Sequence, residues 1–278
     1  MLNISQYKHI HCIGIGGIGL SAVAEIFASR GYTVSGSDMK MSEMTEHLQS
    51  RGITVYEGHS AENIKGADLI VYSAAVSLEN PEITQAQKNG IPTVTRAEAL
   101  GALMEDYPSS IAVSGTHGKT TTTSMVSLIL ENAKTDPTIL VGGNLHEFGG
   151  NVKIGKSDLF VTEACEYMDS FLSLRPKMEI ILNIDSDHLD YFKDIDHIVD
   201  SFDKFAKLVP ENGCIIAYEA NPFVNKVISD AGCRVVTFGF SENSDYCAAN
   251  IEFNSEGHPL FDVRSKGELL GRVQLEVP

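Results

Sequence analysis

The sequence predicts an α/β fold built in two consecutive parts, and three observations carry that expectation. Short apolar runs, each leading into a helix-length stretch, alternate from the N-terminus to about residue 239. Two of those junctions are glycine loops, Gly14-Ile15-Gly16-Gly17-Ile18-Gly19 and Gly115-Thr116-His117-Gly118. Beyond Gly239 the texture changes to short alternating runs separated by Gly and Asn. Strands buried on both faces read as continuous apolar runs, whereas an antiparallel sheet with one wet face alternates. The chain therefore reads as a parallel-sheet domain over 1–107, followed by a second α/β domain over 108–278 with a small flanking antiparallel sheet.

The first part opens with a strand over Lys8–Ile13 that runs into the first glycine loop. A helix continues through Leu20, Ala22, Val23, Ala24, Ile26 and Phe27 and stops near Gly31; a strand from Tyr32 to Ser37 then ends at Asp38. This is the G-x-G-x-x-G arrangement with an acid about twenty residues on, the pattern of a Rossmann-like nucleotide-binding unit. Helix 42–51, strands 53–56 and 67–73, helix 81–89, strand 91–94 and a helix over 98–107 follow, and Pro108 breaks the last. His59, in Glu57-Gly58-His59-Ser60, reads either as a ligand-facing group or as an ordinary loop residue.

The second part begins with an apolar strand over Ser110–Ser114, then Gly115-Thr116-His117-Gly118-Lys119-Thr120-Thr121, then a helix over 119–133. Strand, glycine loop and helix form a phosphate cradle. Gly115 and Gly118 let main-chain N–H groups approach phosphate oxygens, and the helix start adds free N–H groups and a positive dipole end. Lys119 supplies a point charge for the outer phosphates, and the hydroxyl of Thr120 or Thr121 suits Mg²⁺. The general P-loop pattern wants a further glycine where Val113 stands, so a glycine cap before a Thr-rich helix is the plain alternative.

A strand over 138–141 leads into a glycine-rich loop through Asn151, in which Asn144 reads as a substrate contact or a turn cap. Strands over 158–162 and 179–184 deliver Glu163 and Glu166, and Asp185, Asp187, His188 and Asp190, at their carboxyl ends. Ligands of open α/β sheets bind there, so these groups are expected to converge on the phosphate loop. Asp185, Asp187 and Asp190 also fit the acidic start of a helix, which is the role expected of Asp185 and Asp190. From Ile195, apolar Ile198, Val199, Phe202, Phe205 and Leu208 fall on one helical face, which makes that stripe core. Strand 214–218, helix 221–231 and strand 234–238 extend the sheet, and runs at 260–263 and 272–277 give the antiparallel part.

Composition bounds the partners. The chain has 278 residues, 43% of them hydrophobic, and its net charge of −16 argues against general nucleic-acid or anionic-membrane binding. A polyphosphate must then be held locally by glycine loops, a few cations and metal ions. Cys12, Cys165, Cys214, Cys233 and Cys247 show no C-x-x-C spacing, so buried reduced thiols are expected rather than a zinc site or disulfides. The N-terminus lacks the pattern of a secretory signal and no apolar run is of membrane-spanning length, so a cytoplasmic location is expected. Oligomeric state is left open.

The string Gly-Thr-His-Gly-Lys-Thr-Thr-Thr resembles the ATP-binding loop of the Mur ligase family, whose short form is Gly-Thr-x-Gly-Lys-Thr. Gly-Ile-Gly-Gly-Ile-Gly, Val-Ser-Gly-Ser-Asp and Tyr-Ser-Ala-Ala resemble the UDP-substrate domain of its members that add L-alanine to UDP-N-acetylmuramate. Thr-Glu-Ala-Cys-Glu-Tyr and Asn-Ile-Asp-Ser-Asp-His-Leu-Asp resemble their two metal motifs, with Cys165 standing where many relatives have Asp. The resemblance implies that Gly115, Thr116, His117, Gly118, Lys119, Thr120 and Thr121 bind ATP, and that Thr120, Glu163 and His188 hold Mg²⁺, with Lys119, Glu163 and His188 as the catalytic set. It implies that Gly16 and Gly17 approach the UDP substrate, with Asp38, His59 and Ser73 around it. No lysine stands where several relatives carry a carbamylated one; Glu166 is a candidate to substitute, and its role and that of Cys165 are left open.

The implied activity is ATP-dependent ligation through an acyl phosphate. The resemblance covers the first two of the family's three domains, so a fragment inactive by itself is expected. Three other readings stand beside it: ligation of a murein tripeptide to the same nucleotide sugar, a non-catalytic UDP-sugar binder, and a NAD dehydrogenase, for which no hydride-transfer site is visible.

Overall fold

The computed structural model describes residues 2–145 and 150–276, the side chains of Asn144 and Leu145 excepted. Its elements in chain order are β1 (His9–Ile13), α1 (Ile18–Ser29), β2 (Thr33–Asp38), α2 (Glu43–Ser50), β3 (Thr54–Glu57), β4 (Leu69–Tyr72), α3 (Pro81–Lys88), β5 (Thr93–Thr95) and α4 (Arg96–Met104). These are followed by β6 (Ser109–Ser114), α5 (Lys119–Asn132), β7 (Thr138–Leu145), β8 (Gly150–Lys153), β9 (Leu159–Glu163), β10 (Met178–Ile181), α6 (Ile195–Ala206), β11 (Cys214–Tyr218), α7 (Pro222–Ile228), β12 (Arg234–Gly239), β13 (Tyr246–Phe253), β14 (Pro259–Ser265) and β15 (Glu268–Gln274).

Two compact units emerge. One holds Met1–Ser110, Thr123–Glu163 and Ser173–Arg175; the other holds Ile111–Thr122, Ala164–Leu172 and Pro176–Pro278. In the first, a parallel five-stranded sheet has the order β3-β2-β1-β4-β5. The order reverses at β1, and in such sheets a crevice opens at the carboxyl ends of the strands on either side of the reversal. Helix starts are fixed by local caps. Ser42 and Thr45 form a reciprocal cap on α2, Asn80 accepts the Glu82 N–H ahead of Pro81 on α3, and Thr95 and Glu98 cap α4. Ile13, Ile64, Ala67, Ile70, Ile83 and Ala86 form a buried core on one side of this sheet, under Tyr72, Val76 and Ile91.

The remaining strands of the first unit run β9-β7-β8, and the strands of the second run β15-β14-β13-β12-β11-β10-β6, a mixed parallel and antiparallel sheet. In the second unit Phe171 stacks on Phe205 at 4.5 Å and meets Phe202 edge-on at 5.3 Å, which makes the apolar stripe of α6 core as expected.

Three details differ from the expectations. The stretch 142–151 is not wholly a loop: β7 continues to Leu145 and pairs antiparallel with β8, and residues 146–149 lie outside the described residues. Asp185, Asp187 and Asp190 do not start a helix; α6 begins at Ile195 with Asp194 as its cap, whose side chain accepts the His197 N–H at 2.9 Å. The antiparallel strands β13–β15 are present, and they join the sheet through a parallel β12–β13 pair, Phe238 with Tyr246 and Gly239 with Cys247.

Candidate functional site

The first unit carries a pocket of about 730 Å³, lined among others by Gly14, Gly16, Gly17, Asp38, His59 and Ser73. The sequence separates these residues widely, and the β-α turns bring them to one end of the sheet. Gly14 adopts φ +80°, and the N–H groups of Gly14 and Ile15 both donate to the Ser37 carbonyl, at 2.8 and 3.0 Å. Asp38 then locks the loop, because its Oδ2 accepts the Gly16 N–H at 2.8 Å. A Cβ on Gly16 would lie 2.9 Å from that oxygen, and one on Gly36 would lie 2.5 Å from the Cys12 carbonyl oxygen and from Ile15 Cδ1. The glycines are thus set by close packing as much as by dihedral angle.

Met39, Lys40, Ser42 and Asn80 also line the pocket, and sequence reasoning missed them. Lys40, two residues past the acid that ends β2, could have been flagged as its nearest cation. Asn144 lies in β7, and its side chain is outside the described residues.

The second unit carries the phosphate loop at the carboxyl end of β6. Gly115 has φ +139° and Gly118 φ +85°, backbone regions that favour glycine. The segment after β10 zips onto this loop. Thr116 N–H donates to the Asn183 carbonyl at 3.1 Å, His117 N–H donates to Asn183 Oδ1 at 2.8 Å, and Asn183 Nδ2 returns a bond to the His117 carbonyl at 3.0 Å. The Asp185 N–H donates to the Thr116 hydroxyl oxygen at 2.9 Å. Asn183, like Glu166 below, is positioned by a partner too distant in sequence for spacing to reveal.

Lys119 Nζ folds back over the loop, donating to the carbonyls of Gly115 at 2.6 Å and Thr116 at 3.1 Å, and to Glu166 Oε2 at 2.8 Å and Oε1 at 3.0 Å. Glu166 is almost fully buried. His188, in the left-handed region at φ +51°, puts Nε2 3.7 Å from Glu166 Oε1, and its ring lies 4.8 Å from that of Tyr167. Tyr167 donates to Asp190 Oδ2 at 2.9 Å, and that bond raises the phenol above its ordinary value.

Lys119, Glu166 and His188 are therefore one cluster. Glu163, in the first unit, accepts the Gly142 N–H at 2.7 Å. Among the described residues no three His, Cys, Asp or Glu side chains are grouped to hold a metal by themselves. Mg²⁺ keeps several waters and needs only one or two protein oxygens beside substrate phosphates. Thr120 and Glu163 carry hard oxygen donors and His188 a nitrogen, the kinds of group that can ligate such an ion. Among the described residues no helix is long and apolar enough to cross a membrane.

The comparisons with known proteins bear on both sites. The family model described as the Mur ligase family catalytic domain matches residues 9–108, and the Mur ligase middle domain matches residues 113–277. The UDP-N-acetylmuramate--L-alanine ligase of Alkaliphilus metalliredigens is 53% identical over 273 residues, which are 98% of this chain and 59% of that relative. Among solved structures, the UDP-N-acetylmuramate:L-alanyl-gamma-D-glutamyl-meso-diaminopimelate ligase of Neisseria meningitides superposes with a TM-score of 0.85 at 31% identity, over 98% of this chain and 88% of that one. The UDP-N-acetylmuramate-alanine ligase of Thermotoga maritima gives 0.80 at 30% identity, over 98% of this chain and 61% of that one. The chain thus spans about three fifths of the length of the alanine ligases it matches.

Proposed function

The chain belongs to the Mur ligase family, and from that premise we propose that it carries the nucleotide-sugar and ATP sites of an enzyme that joins L-alanine to UDP-N-acetylmuramate. In this reading residues 1–107 hold the UDP substrate in the pocket beside Gly16, Gly17, Asp38, His59 and Ser73, with Asn144 as a further contact. Residues 108–278 hold ATP on Gly115, Thr116, His117, Gly118, Lys119, Thr120 and Thr121. The observation that carries the reading is the pairing in one chain of the Lys119 phosphate loop with the glycine-lined pocket.

The chemistry follows from a difficulty: a carboxylate at neutral pH is a poor electrophile. The carboxylate oxygen of UDP-N-acetylmuramate attacks the γ-phosphorus of ATP, the bond to the bridging oxygen breaks, and ADP leaves. The acyl phosphate then has a leaving group. The amine of L-alanine adds to the acyl carbon, loses a proton, and the tetrahedral intermediate expels inorganic phosphate. Lys119, pre-oriented by two loop carbonyls and Glu166, would exchange the carboxylate for phosphate oxygens and neutralise charge as it develops. Thr120, Glu163 and His188 would hold Mg²⁺, which when bound screens the phosphate oxygens from the incoming carboxylate.

The TM-score of 0.85 to a ligase that takes a murein tripeptide favours a second reading, addition of such a peptide to the same nucleotide sugar. Both readings need the same pocket, so calorimetric titration with UDP-N-acetylmuramate, with NAD as control, tests them together. Saturable binding that is lost in Asp38→Ala, with no heat from NAD, is the expected result. Binding of NAD in place of the nucleotide sugar would overturn it. Titration with Mg-ATP separates a ligase from a non-catalytic UDP-sugar binder, and supplying L-alanine or the tripeptide, with Mg-ATP, to an enzyme that carries this chain separates the two ligase readings.

A further inference from the structure

Under the nucleotide pocket lies a buried polar network that the ligation chemistry leaves unused. Its centre is Glu82 on α3, a fully buried carboxylate. Oε2 accepts the Ser37 hydroxyl at 2.6 Å and lies 3.6 Å from His11 Nε2; Oε1 accepts Asn63 Nδ2 at 2.6 Å and the Ser60 N–H at 3.3 Å. Burial alone would push this acid up, but the nearby His11 and the bonds from Ser37 and Asn63 outweigh it and hold the group below its ordinary value. Glu82 is therefore an anion enclosed by donors.

The hydrogen-bond directions can be worked out from that anion. Ser37 has one proton and gives it to Glu82, so at its other contact, 3.0 Å from His59 Nδ1, it must accept. His59 thus carries its hydrogen on Nδ1, pointing inward, where Nδ1 is also 3.5 Å from Glu82 Oε2. His59 lines the pocket, and among the described residues Nε2, the other ring nitrogen, has no hydrogen-bond partner. A neutral ring in this tautomer shows a lone pair at Nε2, which suits no phosphate. A protonated ring donates on both sides.

We infer that Glu82 is a positioning residue for the nucleotide: through Ser37 it holds His59 with Nδ1–H inward and Nε2 toward the pocket, so that a nucleoside diphosphate is met by a ring that takes up a proton as it binds. The proton comes from solvent, and the ring then sits between two anions, Glu82 and a phosphate. The other titratable or charged groups about it are His11 from β1, Tyr56 from β3, and Asp38, Lys40 and Glu79 around the pocket. His11 is turned to the same end, since Ser35 Oγ lies 2.8 Å from both His11 Nδ1 and His9 Nε2 and can give its single proton to His11.

This inference rests on the nucleotide-binding reading above, and the test separates the two. The chain is titrated with UDP, and with uridine, near pH 7.5 in buffers of different ionisation enthalpy. UDP is expected to bind with net proton uptake, seen as a buffer-dependent heat, and uridine without it. Glu82→Gln is expected to abolish the uptake and weaken UDP about tenfold, and Ser37→Ala to diminish the uptake, with uridine affinity unchanged in both. Ser37→Ala leaves Glu82 and its other donors in place, so the test survives a Glu82→Gln chain that does not fold. UDP binding whose heat is independent of buffer would overturn the inference and spare the nucleotide reading, as would uptake undiminished in both variants. A wild-type chain that binds no UDP at all would overturn both.

Discussion

Lys119 Nζ lies 2.8 and 3.0 Å from the two carboxylate oxygens of Glu166, a largely buried ion pair at the start of α5. Such a pair is asymmetric in its consequences. Forming it contributes little net stability, because both groups are desolvated, but removing one partner leaves an unpaired charge. Lys119→Ala is therefore expected to lower the unfolding free energy by about 3 kcal/mol, measured by urea denaturation. Adding Glu166→Gln, which removes the orphaned charge, should return most of it. A double variant no more stable than Lys119→Ala would show that the pair is not the cause.

Glu179, on β10, is a second buried acid, and it differs from Glu82 in having few donors. Ser114 Oγ donates to its Oε1 at 2.9 Å, while Oε2 has no partner. Burial pushes this carboxyl up to about 8 from an ordinary 4.5, only partly offset by Ser114. Between those two values the folded chain holds a proton that the unfolded chain has lost, so stability falls as pH rises. The contribution is complete below 4.5 and is lost as pH passes through about 8. The slope due to this group is at most about 1.4 kcal/mol per pH unit. Glu179→Gln should flatten that part of the pH–stability curve. An unchanged slope would place the dependence elsewhere.

These two acids mark where sequence reading stops. The glycine loops, Asp38 and most helix and strand positions were legible because they rest on local spacing, on apolar runs and on caps such as Asn80-Pro81. Glu82 looks locally like an ordinary acid in a first helical turn. Its buried role comes from Ser37 on β2, 45 residues away in the chain. Asn183 depends on His117 at a separation of 66 residues, and Glu166 on Lys119 at 47. The acids at 185–190 misled for a related reason. The start of that segment is engaged by the phosphate loop, Asp185 through Thr116, so the helix waits for the Asp194 cap. The hairpin of β7 and β8 was hidden because Gly142, Gly143, Gly149 and Gly150 read as turn chemistry.

Gly36 is the residue of β2 over which the first glycine loop closes. A methyl group there would sit 2.5 Å from both the Cys12 carbonyl oxygen and Ile15 Cδ1, and backbone cannot yield as a flexible side chain can. Gly36→Ala is expected to lower stability by about 1–3 kcal/mol. On the proposed function it should also weaken UDP-N-acetylmuramate, because Ile15 lies between Gly14 and Gly16, two of the three pocket glycines. Thermal denaturation and titration on the same sample check both. A stable variant with unchanged affinity would mean the loop has slack that the packing does not suggest.

The cysteines separate by environment. Cys12 lies in the core of β1, where burial pushes its thiol up to about 12, and Cys247 is buried too. Cys165 is exposed and adjoins Glu166, the partner of Lys119. Alkylation proceeds through the thiolate and needs access, so brief treatment of the native chain with iodoacetamide should modify Cys165 and leave Cys12 and Cys247 untouched until urea is added. Peptide mapping by mass spectrometry reads the sites directly. On the proposed function, Mg-ATP binds the loop that Lys119 ties to Glu166, the chain neighbour of Cys165, so it should slow modification of Cys165 while leaving the slower sites unaffected. Equal rates with and without Mg-ATP would count against nucleotide binding at this loop, and rapid modification of Cys12 would contradict the packing of the first sheet.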